Sequence, residues 1–192
     1  MQRRAFLQTA AAVLPAATLP KFLSVNETAA PPPQESAQPP ELHVVDAGED
    51  RYGHPHPLGF STITFKVGTA ETGGRLFIIE HSHAMPGGPV LHLHINQDEW
   101  FYVMEGDVDF QIGDRRLRLH PGESVLGPRR VPHTFSPVGP GPSHLLIAFT
   151  PAGKMEQYFL DIEPPHKQPA DQATFLRKYE MEYVGPSPFW KT

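Results

Sequence analysis

His92-Leu93-His94-Ile95-Asn96-Gln97-Asp98-Glu99-Trp100-Phe101-Tyr102-Val103-Met104 decides the reading of this chain. On an extended strand successive side chains point to opposite faces, so His92 and His94 share a face. Asn96-Gln97-Asp98 reads as a short polar turn. Beyond it, Glu99 opens a run rich in aromatic and apolar residues, as strands are. Two adjacent antiparallel strands would then present His92, His94 and Glu99 to one cavity, and a lone His133 offers a third imidazole. Three neutral nitrogens and one anionic oxygen suit a single divalent transition metal ion. Fe, Mn, Ni, Cu and Zn all accept such donors, and the residues do not choose among them. A six-coordinate ion would keep two positions free, and an open position is what separates a catalytic site from a structural one.

The same alternation works outward from Glu99. Phe101 and Val103 share its parity and are expected to line the cavity, while Asp98, Trp100, Tyr102 and Met104 should face the other way. Further short apolar or alternating runs span 60–67, 75–83, 90–94, 108–112, 116–119, 124–126, 133–136 and 144–149. Gly, Pro, Asp or Asn separate them, and many short strands at this spacing mean an all-β sandwich or barrel. Gly113-Asp114 is a tight-turn candidate. After about 151 the character changes, and 153–161 and 170–182 have the composition and apolar spacing of two short helices. No internal repeat is present that would suggest two tandem barrels.

The chain has 11 histidines, which makes decoys inevitable. His54-Pro55-His56 repeats the His-x-His pattern, but in a Gly/Pro-rich stretch that reads as a solvated loop. His81 and His83 end a predicted strand and should share a face in a role other than metal ligation. His43, His120, His144 and His166 belong to no constellation and read as surface or turn residues.

With 192 residues the chain is one domain plus extensions. Arg3-Arg4 followed by an apolar, alanine-rich stretch gives 1–30 the form of a twin-arginine export signal. Thr28-Ala29-Ala30 offers small residues for cleavage, and an uncleaved signal would act as an N-terminal membrane anchor. A Pro-rich linker follows over 31–41. The single domain then runs over 42–192, with its C-terminal extension from about 151. The expected location is periplasmic or extracellular. There are no cysteines, so neither disulfides nor thiolate metal sites exist. The net charge is −5, and more negative once Arg3, Arg4 and Lys21 are set aside, which argues against a nucleic-acid partner.

The central residues resemble the two motifs of the cupins. In the first, Gly87 and Gly88 precede His92-x-His94, four residues separate His94 from Glu99, and six separate Glu99 from Gly106. In the second, Gly122, Pro128 and His133 match, whereas Arg130 stands where the motif has Gly and Pro137 where it has Asn. Fifteen residues lie between the motifs, the short spacer of small single-domain cupins. The tail, with Thr150-Pro151-Ala152-Gly153, Tyr158-Phe159, Tyr179 and Val184-Gly185-Pro186, resembles small bacterial cupins of quercetinase-like type. The resemblance implies a double-stranded β-helix (jelly-roll barrel), a metal held by His92, His94, Glu99 and His133, and a homodimer. It further implies a dioxygenase acting on a small enol or phenol, with Glu99 as ligand or as general base. A non-redox isomerase or lyase, and a binding protein without turnover, use the same ligands and remain open.

Overall fold

The structure is a computed structural model that describes residues 42–139, 141–162 and 171–190; the expected signal (1–30), the linker (31–41) and His166 lie outside these. Strands are β1 His56–Pro57, β2 Thr62–Val67, β3 Phe77–Ala84, β4 Leu91–His94, β5 Asp98–Glu105 and β6 Asp107–Ile112. They continue as β7 Arg115–Leu119, β8 Ser124–Gly127, β9 His133–Val138, β10 Ser143–Thr150 and β11 Met181–Gly185, with helices α1 Met155–Ile162 and α2 Gln172–Arg177 between the last two. One sheet has the order β1-β2-β3-β10-β5-β8 and the other β11-β4-β9-β6-β7. All pairs are antiparallel. The expected all-β jelly-roll architecture with short C-terminal helices is what the chain adopts.

Alternation explains the core. Along β5, Glu99, Phe101 and Val103 are buried while Asp98, Trp100 and Tyr102 are half-exposed. Along β10, Leu145, Ile147 and Phe149 are buried on the same side. These residues meet Ile63, Phe65, Phe77 and Ile79 from β2 and β3, and Phe110 and Phe135 from the second sheet. Each fully buried Phe, Leu or Ile contributes roughly 1.5–3 kcal/mol relative to exposure, so the inner faces hold the two sheets together. The Gly113-Asp114 turn joins β6 to β7 as expected, with Gly113 at φ 57.

Four expectations are corrected. β4 and β5 are not neighbours: they lie in different sheets, so His92 and His94 meet Glu99 across the interior. The chain changes sheet between β3 and β4 at Gly88, which has φ 70 and whose backbone lies so close to Phe135 that an added Cβ would sit 1.7 Å from its carbonyl oxygen. The second helix is shorter than 170–182. Glu180 takes φ 61, which ends the helical path, and Met181–Gly185 instead pairs with the free edge of β4. His83 also has a positive φ, 52, which breaks the alternation, so His81 is buried while His83 is exposed. Finally, His56 is not solvated. It is fully buried, stacks on Phe65 with ring centroids 4.2 Å apart, and lies 3.6 Å from Asp50 Oδ2. Asp50 holds this segment down by accepting from the Phe65 and Tyr52 backbone N–H groups at 2.6 and 2.7 Å.

Candidate metal centre

His92, His94, Glu99 and His133 converge, with one ligand-type atom from each lying within 4.8 Å of the others, and all four are buried. Their supports come from three directions. His92 on β4 and His133 on β9 are register partners in one sheet. His94 follows on the same face of β4, whose far edge is covered by β11. Glu99 reaches in from β5 of the other sheet, where it pairs with Phe149 and Gly127. The turn between His94 and Glu99 is pinned by Glu180: its carbonyl accepts from Ile95 N at 2.8 Å, and its carboxylate accepts from Asn96 Nδ2 at 2.8 Å and Gln97 Nε2 at 3.3 Å. On the other side, Arg130 N donates to the His94 carbonyl at 2.7 Å. Arg130 has φ 64, the left-handed conformation that the glycine of the motif would supply at that position.

The imidazoles are oriented by the backbone. His92 Nδ1 lies 2.9 Å from the Val90 carbonyl and His133 Nδ1 2.9 Å from the Val131 carbonyl. A carbonyl only accepts, so each Nδ1 carries the hydrogen and each neutral ring turns a bare Nε2 lone pair inward. His133 Nε2 nevertheless sits 2.8 Å from Glu99 Oε2, and His94 Nε2 3.0 Å from the same oxygen. A lone pair facing a carboxylate oxygen requires a positive centre, a proton or a metal ion. Two ligands about 2.1 Å from one ion and at right angles lie roughly 3 Å apart, so these separations fit a shared metal. His94 Nδ1 is buried without a hydrogen-bond partner among the described residues.

Electrostatics favours the ligand forms. Burial, then the neighbouring His133 and His94, lower the His92 pKa to about 3, so this ring is neutral and free to ligate. Burial also dominates at His94 and holds it below the ordinary histidine range, although Glu99 pulls the other way. Burial by itself would raise Glu99, but the close polar contacts of the His133 and His94 ring nitrogens, positions that a shared proton or metal ion would occupy, outweigh it and keep the carboxyl far below its usual range.

Asp98, the nearest rival carboxylate, faces away as its parity requires. It pairs with Arg129, whose Nη2 and Nε lie 2.6 and 3.0 Å from its two oxygens. His120 pairs with Asp107 at 2.9 Å on the surface, and His144 with Glu80 at 2.5 Å on the outer face of the first sheet. His54 and His43 are exposed.

His92, His94 and Glu99 of the cluster line a cavity of about 250 Å³. Phe101 and Val103 do not line it, contrary to expectation. They are buried deeper in the sandwich, where Phe101 packs against Phe110, Phe135 and the His133 ring at 5.1, 5.7 and 6.0 Å. The reason is that the cavity opens toward the C-terminal extension. Its walls are Phe60, Phe135, Phe149, Tyr158, Phe159 and Trp190, among others, so α1, α2 and the tail form much of the lining. Sequence parity could not find these residues, because helix-borne aromatics in a tail carry no pattern that aims them at a distant strand. Trp190 closes down on the turn after β3, its Nε1 donating to the Gly88 carbonyl at 3.3 Å. His81 also lines the cavity.

The sequence model of the cupin domain family matches residues 80–149, which contain all four clustered residues. Among curated proteins, no sequence matches the chain. Solved structures with a similar course include KdgF from a Halomonas species, 16% identical over 57% of this chain and 94% of that one, with a TM-score of 0.49. An RmlC-like cupin from Shewanella frigidimarina is 17% identical over 60% and 96%, with a TM-score of 0.49. Oxalate decarboxylase from Bacillus subtilis is 20% identical over 52% of this chain and 27% of its own length, with a TM-score of 0.45. With both motifs in place, their ligand-type residues brought together between two antiparallel sheets and the family match centred on them, residues 80–149 of this chain form a cupin domain.

Proposed function

We propose that this protein is a mononuclear metal-dependent oxidoreductase of quercetinase-like dioxygenase type, acting on a small enol or phenol. The observation that carries this reading is an aromatic-walled cavity lined also by His92, His94 and Glu99 of a buried three-histidine, one-carboxylate cluster. His92, His94 and His133 would hold the ion, with Glu99 as a fourth donor. Once bound, the metal supplies Lewis-acid polarisation of a substrate oxygen and a route for electrons to O2.

The chain's own residues do the remainder. Glu99, an ionised carboxylate in the cavity wall, would take the proton of an enol or phenol. Phe60, Phe135, Phe149 and Phe159 line the cavity and would pack against a flat substrate and exclude water. Trp190 and α1 cover it from the tail side. Metal analysis of the purified protein, paired with an oxygen electrode and a panel of enols and flavonols, tests the reading. Substrate-dependent O2 uptake that follows metal content supports it. Turnover without O2 uptake would instead make the protein an isomerase or lyase.

Export by the twin-arginine route belongs to the same proposal, on the strength of Arg3-Arg4 before an apolar stretch. Cu²⁺ and Zn²⁺ outcompete Mn²⁺ and Fe²⁺ at N/O sites, so folding before export would let a weaker ion be captured first. A variant with both Arg3→Lys and Arg4→Lys should remain in the cytoplasm in a fractionation experiment, and its normal appearance outside would refute the route.

A further inference from the structure

Besides the three imidazoles of the metal cluster, a fourth imidazole that the cluster does not use lines the cavity. His81 lies on β3, is 3% exposed and lines the cavity wall. Its ring is set among Phe60, Phe135 and Phe159, with centroids 6.1, 5.8 and 6.5 Å away. Nδ1 is engaged by Ser61 Oγ at 3.0 Å, which fixes the ring and leaves Nε2 as the nitrogen available to an occupant of the cavity. Burial lowers its pKa to about 4, the charge of Glu99 only partly opposing this, so the ring is neutral at neutral pH and offers a hydrogen bond rather than a charge.

His81 is also set apart from the metal cluster. On β10 its register partner is Leu145, while that of Glu99 is Phe149. Four residues of strand correspond to an offset of roughly 13 Å along the sheet. His81 and Glu99 thus enter the cavity wall from different levels of the sheet. A ring nitrogen in a cavity wall otherwise made of aromatic rings gains when a cavity occupant hydrogen-bonds it, whereas a phenylalanine would pack there with nothing to offer. The position thus makes chemical sense when a polar group of a ligand reaches it.

We propose that His81, oriented by Ser61, is a specificity-determining residue that hydrogen-bonds a second, remote oxygen of the ligand whose first oxygen sits at the His92, His94, Glu99 and His133 cluster. The preferred ligand is then a flat aromatic molecule with two oxygen functions at opposite ends. This rests on the proposed function only in treating the cluster as the metal-loaded end of the cavity.

The test is equilibrium binding, not turnover. Metal-loaded protein is titrated calorimetrically with a naphthol and with a naphthalenediol whose hydroxyls lie on opposite rings. The protein should bind the diol about tenfold more tightly, the scale of one well-made hydrogen bond. His81→Phe, which suits the surrounding rings, should bind the two probes equally while its metal content stays unchanged. Where that variant does not fold, Ser61→Ala keeps the ring but frees Nδ1, and the preference should shrink severalfold. Equal binding of both probes by the unaltered protein, a preference that survives in His81→Phe, or one that is undiminished in Ser61→Ala, overturns the proposal. Because no activity is read, a protein that consumes no O2 still answers the question. O2 uptake together with an unchanged preference sinks this inference alone.

Discussion

His92 and His133 are direct partners across β4 and β9, and each fixes its Nδ1 on the carbonyl two residues before it, Val90 and Val131 respectively, at 2.9 Å. Two imidazoles on separate strands thereby receive the same tautomer from the backbone itself. No side chain is needed to orient them, so their inward lone pairs depend on strand register.

Replacing His94 or His133 with Ala should take bound metal well below one equivalent per chain. Loss of an outer hydrogen-bond partner weakens metal binding about 10–100-fold, and loss of a ligand should exceed that. Elemental analysis checks it, and full metal in both variants would sink the ligand assignment.

Glu99→Gln should keep most of the metal and lose most of the turnover. Three imidazoles already make a serviceable site, whereas a general base contributes about 10²–10⁴-fold in rate. Steady-state kinetics on metal-matched samples decides it, with unchanged turnover excluding the base role.

Asp98 lies one residue from Glu99 yet belongs to the surface. Hydrogen bonds from the Arg129 side chain, then its backbone N–H, lower the Asp98 pKa to about 2. A depressed carboxylate pKa gives stability that is present above the unfolded value, near 3.8, and is lost as pH falls through about 2. Asp98→Asn should therefore destabilise the protein at neutral pH and converge with the parent toward pH 2. Arg129 is nearly half exposed, so screening holds the difference to less than about 1 kcal/mol. Urea unfolding at several pH values measures this, and metal content should not change.

Arg130→Gly should be neutral or stabilising. A non-glycine residue at φ 64 carries roughly 1 kcal/mol of strain, while the side-chain bond to the Ile95 carbonyl, at 3.4 Å, is long. The backbone bond from residue 130 to the His94 carbonyl is untouched by the change. Thermal unfolding provides the measurement, and a clear loss of stability would mean that the guanidinium matters more than its geometry indicates.

The strands and the cluster are legible in the sequence because period-two alternation is local: His92, His94, Glu99 and the outward Asp98 all fall where parity puts them. Which sheet each strand joins is a long-range matter, and the expectation that β4 pairs with β5 fails there. Phe101 and Val103 show a second limit. Parity tells that a side chain points inward, but not whether the interior at that level is packed or hollow. The inclusion of Met181 and Glu182 in a helix fails at one residue: Glu180 adopts a left-handed φ that nothing in its side chain announces. His56 escapes its solvated-loop reading for a related reason, since the Asp50 contacts that fold its loop onto β2 are set by tertiary structure.

The pairing of Met181 with His94 and Tyr183 with His92 has a consequence for how the protein is made. The strand bearing the first two imidazoles emerges from the ribosome long before the strand that covers its outer edge. Until β11 is synthesised, β4 is a short border strand held on one side only, and non-local contacts of this kind form slowly. The edge of the strand that carries His92 and His94 is therefore completed only by Met181–Gly185, the last strand among the described residues.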